Sequence, residues 1–372
     1  MEIRARAESH FDWLIFICVL ILMGFGVVAI WSATDDQTLT FANLGVKQAV
    51  YGIGGIALML VISRIDYRLI QQWVWVFYGF AIVLLIAVLF IGQVIAGSQR
   101  WIAIGSFATL QPSEIGKLAC LLALGVFIAS RGSQMQKFSN FLVTLLIVAV
   151  PAGLVFVEPD LGSTLCYGAI WLSMIAVSNT RTRYIVLTAI ISLPALVLAW
   201  LFVFHDYQKE RLFISYNPYK DPSGDGFNII QARISIATGG WTGEGIFGGS
   251  QSQLGLLRVR TTDFVFSHAA GMFGFIGMLG LLAIFVILIW RCAVSAENAR
   301  DTFARTFTMG LTGLLFFQAF VNIGMNIGLM PVTGITLPFI SYGNTSVWMF
   351  LAAIGILQGI RRRQMALGFL PD

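Results

Sequence analysis

Uninterrupted apolar runs of about twenty residues recur along this 372-residue chain, and no other feature restricts its fold as sharply. A helix of that length crosses the ~30 Å hydrocarbon core of a bilayer, and lipid offers no partners for bare backbone amides. Only 11% of residues are charged and 58% are hydrophobic, whereas soluble domains run near a quarter charged. The expected fold class is an all-α integral membrane protein with ten transmembrane helices, near 13–33, 47–63, 70–95, 113–129, 141–157, 161–178, 184–204, 268–290, 306–328 and 345–360. The chain reads as a single membrane domain, 1–372, with a large extracytoplasmic loop, 205–268, between spans seven and eight. The leading MEIRARAESHFD runs into an apolar stretch of full spanning length with no small-residue cleavage site, so that stretch is expected to be a retained helix.

Basic residues orient these spans. Arg4 and Arg6, Arg64 and Arg68, Arg131 and Lys137, Arg181 and Arg183, the arginines at 291, 300 and 305, and those at 361–363 all fall in short connectors on one side. Short loops rich in Lys and Arg stay cytoplasmic, so both termini are expected inside and the long loop outside. This also accounts for most of the net charge of +5 without a nucleic-acid partner. Cys18, Cys120, Cys166 and Cys292 stand singly in or beside apolar runs and read as small buried hydrophobes rather than disulfides or metal ligands.

Polar residues on the outward side are not explained by topology. GSQRWIAIGSFATLQPSE, between spans three and four, suits an interfacial hairpin or short re-entrant piece and carries Arg100 and Trp101; a Trp at that depth is ordinarily a membrane-belt residue. Glu114 and Lys117 follow at i, i+3 on one helical face, where bare charges are expensive. Either they neutralise each other or, with Arg100, they line a polar cavity. Asp160, in the VEPDLGS turn, is equally a turn acid or a site residue. Pro331, Gly334, Pro338 and Gly343 interrupt spans nine and ten, and such backbone survives at membrane depth only against protein or a watered cavity. Asn322 and Asn326, at i, i+4, either join helices or line the cavity wall with Ser341.

In the long loop, 227–238 has the spacing of a short amphipathic helix, and Gly239–Gly243 reads as glycine turns without nucleotide-binding spacing. Arg233, Arg258 and Arg260 suit phosphate recognition through the planar guanidinium fork, or salt bridges with loop acids. Asp263 stands where basic residues meet an apolar wall. Burial raises and arginine lowers a carboxylate pKa, which together leave an ionised base able to take a proton from a sugar hydroxyl; the plainer reading is a helix cap.

At these residues the chain resembles the SEDS family (shape, elongation, division and sporulation), most closely its RodA branch, with FtsW as the sister alternative. The matching stretches are SQRWI at 98–102, QPSEIGKL at 111–118, EPDLGS at 158–163, HDYQKER at 205–211, DPSGDGFNIIQARISIATGG at 221–240, GSQSQL at 249–254, RTTDFVF at 260–266 and NIGMNIGLMPVTGITLPFISYG at 322–343. The resemblance implies a peptidoglycan glycosyltransferase of the bacterial cytoplasmic membrane that polymerises lipid II on the outer face. It also implies undecaprenyl diphosphate as leaving group, inversion at the anomeric carbon, and a class B penicillin-binding protein as transpeptidase partner. Asp263 takes the place of the family's general base. Arg100, Glu114, Lys117, Asp160, Arg211, Gln231, Arg260 and Ser341 make up the expected substrate-binding set, with Arg100 and Lys117 neutralising the diphosphate. A divalent cation, Mg or Mn, is compatible with that chemistry, although no ligand cluster in the sequence demands one.

The chain also departs from the family pattern. Thr261 replaces a usual histidine, Gly271 and Met272 replace an acidic pair expected beside the base, and Asn344 replaces a glycine. His268 is a candidate polar substitute beside Asp263, or simply an interfacial histidine. The competing functional class is a non-catalytic scaffold or lipid-linked substrate transporter. A transporter should carry polar residues through both halves of several spans, whereas here they gather on the outer side.

Overall fold

The computed structural model describes residues 11–34, 40–41, 43–95, 98–105, 108–202, 206–248, 254–257 and 259–366. Its helices are α1 (Trp13–Ala33), α2 (Leu44–Ile62), α3 (Tyr67–Ile91), α4 (Pro112–Arg131), α5 (Phe138–Val157), α6 (Leu161–Ala176), α7 (Thr182–Phe202), α8 (Asp206–Tyr216), α9 (Asp225–Thr238), α10 (Val265–Glu297), α11 (Thr302–Asn326) and α12 (Asn344–Ala366). Each sequence-read span falls on one of them. Among the described residues, seven are long and apolar enough to cross a membrane: Trp13–Ala33, Leu44–Ile62, Tyr67–Ile91, Pro112–Gln136 (α4 with the 3-10 turn after it), Phe138–Val157, Val265–Glu297 and Thr302–Asn326. The amphipathic segment of the loop forms α9, and the breakers after α11 leave 327–343 non-helical.

The all-α expectation is corrected at residues 93–110. A small antiparallel sheet forms there, in order β1 (Gln93–Ile95), β2 (Ser98–Ile104), β3 (Ala108–Leu110). Its register steps from Gln93 opposite Trp101 to Val94 opposite Gln99, which leaves Arg100 as an extra, bulged residue. A bulge bends the strand and redirects a side chain.

Two helices run through the middle of the bundle. Within the spanning windows α4 is 78% buried and α11 67%, against 22–44% for the other five. Both carry polar residues that lipid would penalise, among them Glu114, Lys117, Thr308 and Gln318, all buried against the rest of the bundle. All four cysteines are buried and free. At the face opposite the 206–264 loop, Asp12 caps α1 through the Leu14 and Ile15 amides, pairs with Arg291 of α10 at 2.8 Å and with Arg361 of α12, and exchanges two backbone bonds with Gln358.

α10 is broken at Gly274, whose φ of 62° lies in the left-handed region that glycine tolerates. The break strands the carbonyls of Gly271 and Met272 and the amides of Phe275 and Ile276. Loop residues 240–245 supply every partner: Glu244 and Gly245 donate to Gly271 and Met272 at 2.9 and 3.0 Å, and Gly240 and Trp241 accept from Phe275 and Ile276 at 2.9 and 3.1 Å. The loop is stitched into the helix. Gly243, at φ 80°, lies so close that a Cβ there would overlap the Met272 carbonyl. Gly243→Val is therefore expected to destabilise the fold by about 2–6 kcal/mol, from backbone strain and overlap together. Thermal unfolding in detergent reads this as a lowered Tm; an unchanged Tm would count against the stitched arrangement.

Candidate functional site

A cavity of about 590 Å³ opens between the central helices, the sheet and the loop, and its wall carries charged side chains at two places. The first is built on α4. Gln111, Glu114 and Lys117 recur at three-residue spacing and all line the cavity. Lys117 donates to Glu114 Oε1 at 2.6 Å, both side chains being almost wholly buried. Glu114 Oε2 has no hydrogen-bond partner among the described residues. The two readings of this pair were not alternatives: the charges neutralise each other and also line the cavity.

Arg100 and Asp160 belong to the same wall. Arg100 donates through Nε to the Glu158 carbonyl at 3.1 Å, through Nη2 to the Pro159 carbonyl, and stands 3.8 Å from Asp160 Oδ1. Asp160 accepts from the Ser163 amide at 3.0 Å, which makes it the N-cap of α6 as well as a wall residue. Trp101 faces the cavity too, so it is a wall residue here rather than only a membrane-belt tryptophan.

Glu158, in the turn behind Arg100, is 2% exposed, and neither carboxylate oxygen has a partner among the described residues. Burial, followed by the nearby Asp160 charge, pushes its pKa up to about 8, against a smaller lowering by Arg100. The unfolded chain releases this proton near pH 4.5 while the folded chain keeps it to about 8. Stability is then full below the lower value, falls as pH rises between the two, and levels off above the upper. Glu158→Gln should lie close to wild type in Tm at pH 4 and exceed it at pH 9. Parallel pH profiles for the two proteins would contradict the assignment.

The second such place is Asp263, half-buried in the cavity wall just before α10. Its main chain is held by three successive carbonyls. Thr261 accepts from the Tyr342 amide at 2.8 Å, and Thr262 from the Ser341 hydroxyl at 2.8 Å. The Asp263 carbonyl accepts from Asn326 at 2.9 Å and Asn322 at 3.2 Å. Asn326 Oδ1 in turn accepts from the Ser267 amide at 3.0 Å. Both asparagines therefore join segments rather than line the wall, and what they hold is the backbone of Asp263. Phe264 N accepts no such role: it donates to Val259 O at 3.2 Å and closes the turn behind the aspartate.

Several expected site residues lie elsewhere. Ser341 is buried and bonded to Thr262 and to the Leu337 amide, outside the cavity lining, and so braces the site. Arg260 donates through Nε to the Ala33 carbonyl at 2.5 Å; it caps the C-terminus of α1, where orphan carbonyls favour a cation. Gln231 lies on α9 outside the cavity lining, its buried side-chain oxygen without a partner among the described residues. Arg211 falls on α8, and its side chain lies outside the described residues, as does Arg258.

His268 is fully buried, outside the cavity lining, with its ring 3.1 Å from the Ala29 carbonyl. Gly271 and Met272 sit at the helix break, outside the cavity lining. Asn344, by contrast, does line the cavity. Among the described residues no group of three or more His, Cys, Asp or Glu could hold a metal ion.

Comparison with known proteins gives one consistent result. The family model for cell cycle proteins of the FtsW, RodA and SpoVE type matches residues 12–366. The peptidoglycan glycosyltransferase MrdB of Escherichia coli K12 is 34% identical over 362 residues, covering 97% of this chain and 96% of MrdB. A probable peptidoglycan glycosyltransferase FtsW of Geobacter metallireducens is 34% identical over 369 residues, covering 97% of each. Among solved structures, a chain from work on the coordination of polymerization and crosslinking by a peptidoglycan synthase complex superposes with a TM-score of 0.81 at 29% identity, covering 95% of this chain and 98% of that one. The Thermus thermophilus rod shape determining protein RodA does so with a TM-score of 0.71 at 27% identity, covering 95% and 97%.

Proposed function

Because the chain belongs to the FtsW/RodA/SpoVE family of cell cycle proteins, we propose that it is a peptidoglycan glycosyltransferase that polymerises lipid II into glycan strands. The observation that carries this reading is the make-up of the cavity wall: cationic groups at one place and, at another, a carboxylate whose backbone is tied by several hydrogen bonds. Asp263 takes the proton of the acceptor 4-hydroxyl as that oxygen attacks the anomeric carbon of the growing chain. The bond from that carbon to the diphosphate breaks, the electron pair leaves with undecaprenyl diphosphate, and the centre inverts. Arg100 and Lys117 offset the negative charge that gathers on the leaving group. The described residues form no metal site of their own, so no step is assigned to a cation.

In this reading the chain is a single membrane domain of the bacterial cytoplasmic membrane with ten crossings and both termini cytoplasmic. The segment 205–268 carries the base on the outer face. A class B penicillin-binding protein cross-links the product. The work of the protein is cell elongation and shape. Division is the second reading, favoured by FtsW relatives as similar in identity as MrdB. The test is gel-resolved polymerisation of labelled lipid II by the purified protein, with and without its transpeptidase. Glycan ladders support the proposal; none, from protein that binds both lipid II and transpeptidase, would favour a scaffold.

A further inference from the structure

The loop carries its own small apolar core, in which Ile214, Ile229 and Phe264 pack with Ala232 and Leu257, and Val332 lies against them. Three of these residues adjoin polar residues of the cavity wall: Ile229 follows Asn228, Phe264 follows Asp263, and Val332 precedes Thr333. Asn228 of α9, Asp263 and Thr333, far apart in sequence, thus all line the cavity next to residues of this small core. Asn228 Oδ1 and Thr333 Oγ1 are both buried and without a hydrogen-bond partner among the described residues.

Two close approaches fix Thr333 relative to the rest of the site. A Cβ on Gly162, just past the Asp160 turn, would lie 2.5 Å from the Thr333 carbonyl oxygen. A Cβ on Gly334 would lie 3.9 Å from Asp263 Oδ2. The segment at 333–334, turned at Gly334 (φ 73°), thus lies between the Asp160 turn and the Asp263 carboxylate. Its ends are tied by the Ser215 hydroxyl, which accepts from the Val332 amide at 3.1 Å, and by Asn322, which donates to the Ile335 carbonyl at 2.7 Å.

Buried polar atoms are expected to be satisfied, and one left without a partner loses its hydration with no return. Asn228 Oδ1 can only accept; the threonine hydroxyl both donates and accepts. Around a carboxylate, such a set matches a molecule with several hydroxyl and amide N–H groups and no negative charge of its own at that end. The cationic wall across the segment has the opposite preference.

Resting on the polymerase reading, we propose that Asn228 and Thr333 are specificity-determining residues that bind the hydroxyl- and amide-bearing sugar of the acceptor beside Asp263, while Arg100 and Lys117 hold the diphosphate end of the substrate. Asn228 accepts a hydrogen bond from a sugar N–H or O–H, and Thr333 bonds a neighbouring hydroxyl. Together they set the face that the sugar presents to the carboxylate.

The test is equilibrium binding to the full chain in lipid nanodiscs with two probes. One is a soluble N-acetylglucosaminyl-N-acetylmuramyl pentapeptide, which lacks lipid and diphosphate. The other is undecaprenyl diphosphate, which lacks sugar. Asn228→Leu and Thr333→Val are each expected to weaken the disaccharide probe by roughly fivefold or more and to leave undecaprenyl diphosphate unchanged. Thr333→Ser, which keeps the hydroxyl, should bind both probes as wild type does. Unaltered disaccharide binding in the Leu and Val variants overturns the assignment, as does an equal loss for both probes or a Ser variant as impaired as Val. Wild-type protein that shows the split between probes but forms no glycan overturns the polymerase reading and leaves the sugar site standing. Wild-type protein that binds neither probe overturns both.

Discussion

Asp263→Asn is expected to lower glycan polymerisation by roughly 10²- to 10⁴-fold, the usual contribution of a positioned general base, while lipid II still binds. The substitution keeps the shape of the side chain and every backbone bond that locates it, since Asn322, Asn326, Ser341 and Tyr342 all bond main-chain carbonyls of 261–263. What is lost is the capacity to hold a proton. The measurement is single-turnover polymerisation beside equilibrium binding of lipid II. A rate within a few-fold of wild type would remove Asp263 from the role of base. Loss of binding together with rate would make the residue an anchor for substrate instead.

Lys117→Met should have an effect as large for a different reason. It leaves Glu114 buried beside the cavity with neither oxygen paired, because Oε1 loses its 2.6 Å partner and Oε2 has none among the described residues. Removing one member of a buried ion pair costs about 3–5 kcal/mol, so the variant is expected to unfold at markedly lower temperature. Glu114→Gln combined with Lys117→Met removes both charges and should recover most of that Tm. Activity should stay low in the double variant if Lys117 offsets charge on the diphosphate. Recovery of Tm and polymerisation together would confine the pair to a structural role.

Much of this architecture can be read from side-chain chemistry alone. Apolar run length gives the helices, and the scarcity of charge makes Arg100, Glu114, Lys117, Asp160 and Asp263 conspicuous; all five do line one cavity. The parts that cannot be read this way are those made by the backbone. The bulge that turns Arg100 inward depends on a register step between β1 and β2 that no residue type announces. Arg260 reads as a phosphate ligand until the end of α1 is seen to terminate beneath it. Ser341, Asn322 and Asn326 are polar residues in an apolar setting, and sequence reports that they need partners without naming the carbonyls of 261–263. Gly239–Gly243 reads as a turn, since periodicity carries no trace of a second strand of chain that will complete a broken helix. His268 reads as polar and interfacial because nothing local reveals that the Ala29 carbonyl will meet it inside the bundle.

The stitched break in α10 bears on how the chain is made. Phe275 and Ile276, just past the break, are 56% and 59% exposed, large apolar side chains on the outside of the bundle. Entering lipid with the four flanking backbone groups bare would cost several kcal/mol for each. Residues 240–245, which satisfy them, lie earlier in the chain and leave the ribosome first. On the proposed topology, synthesis delivers the loop across the membrane before the helix it completes, so that α10 can enter the bilayer in its bent form with its partner strand already waiting. A chain rearranged to place the loop after α10 would have the same contacts available and the wrong order in which to make them.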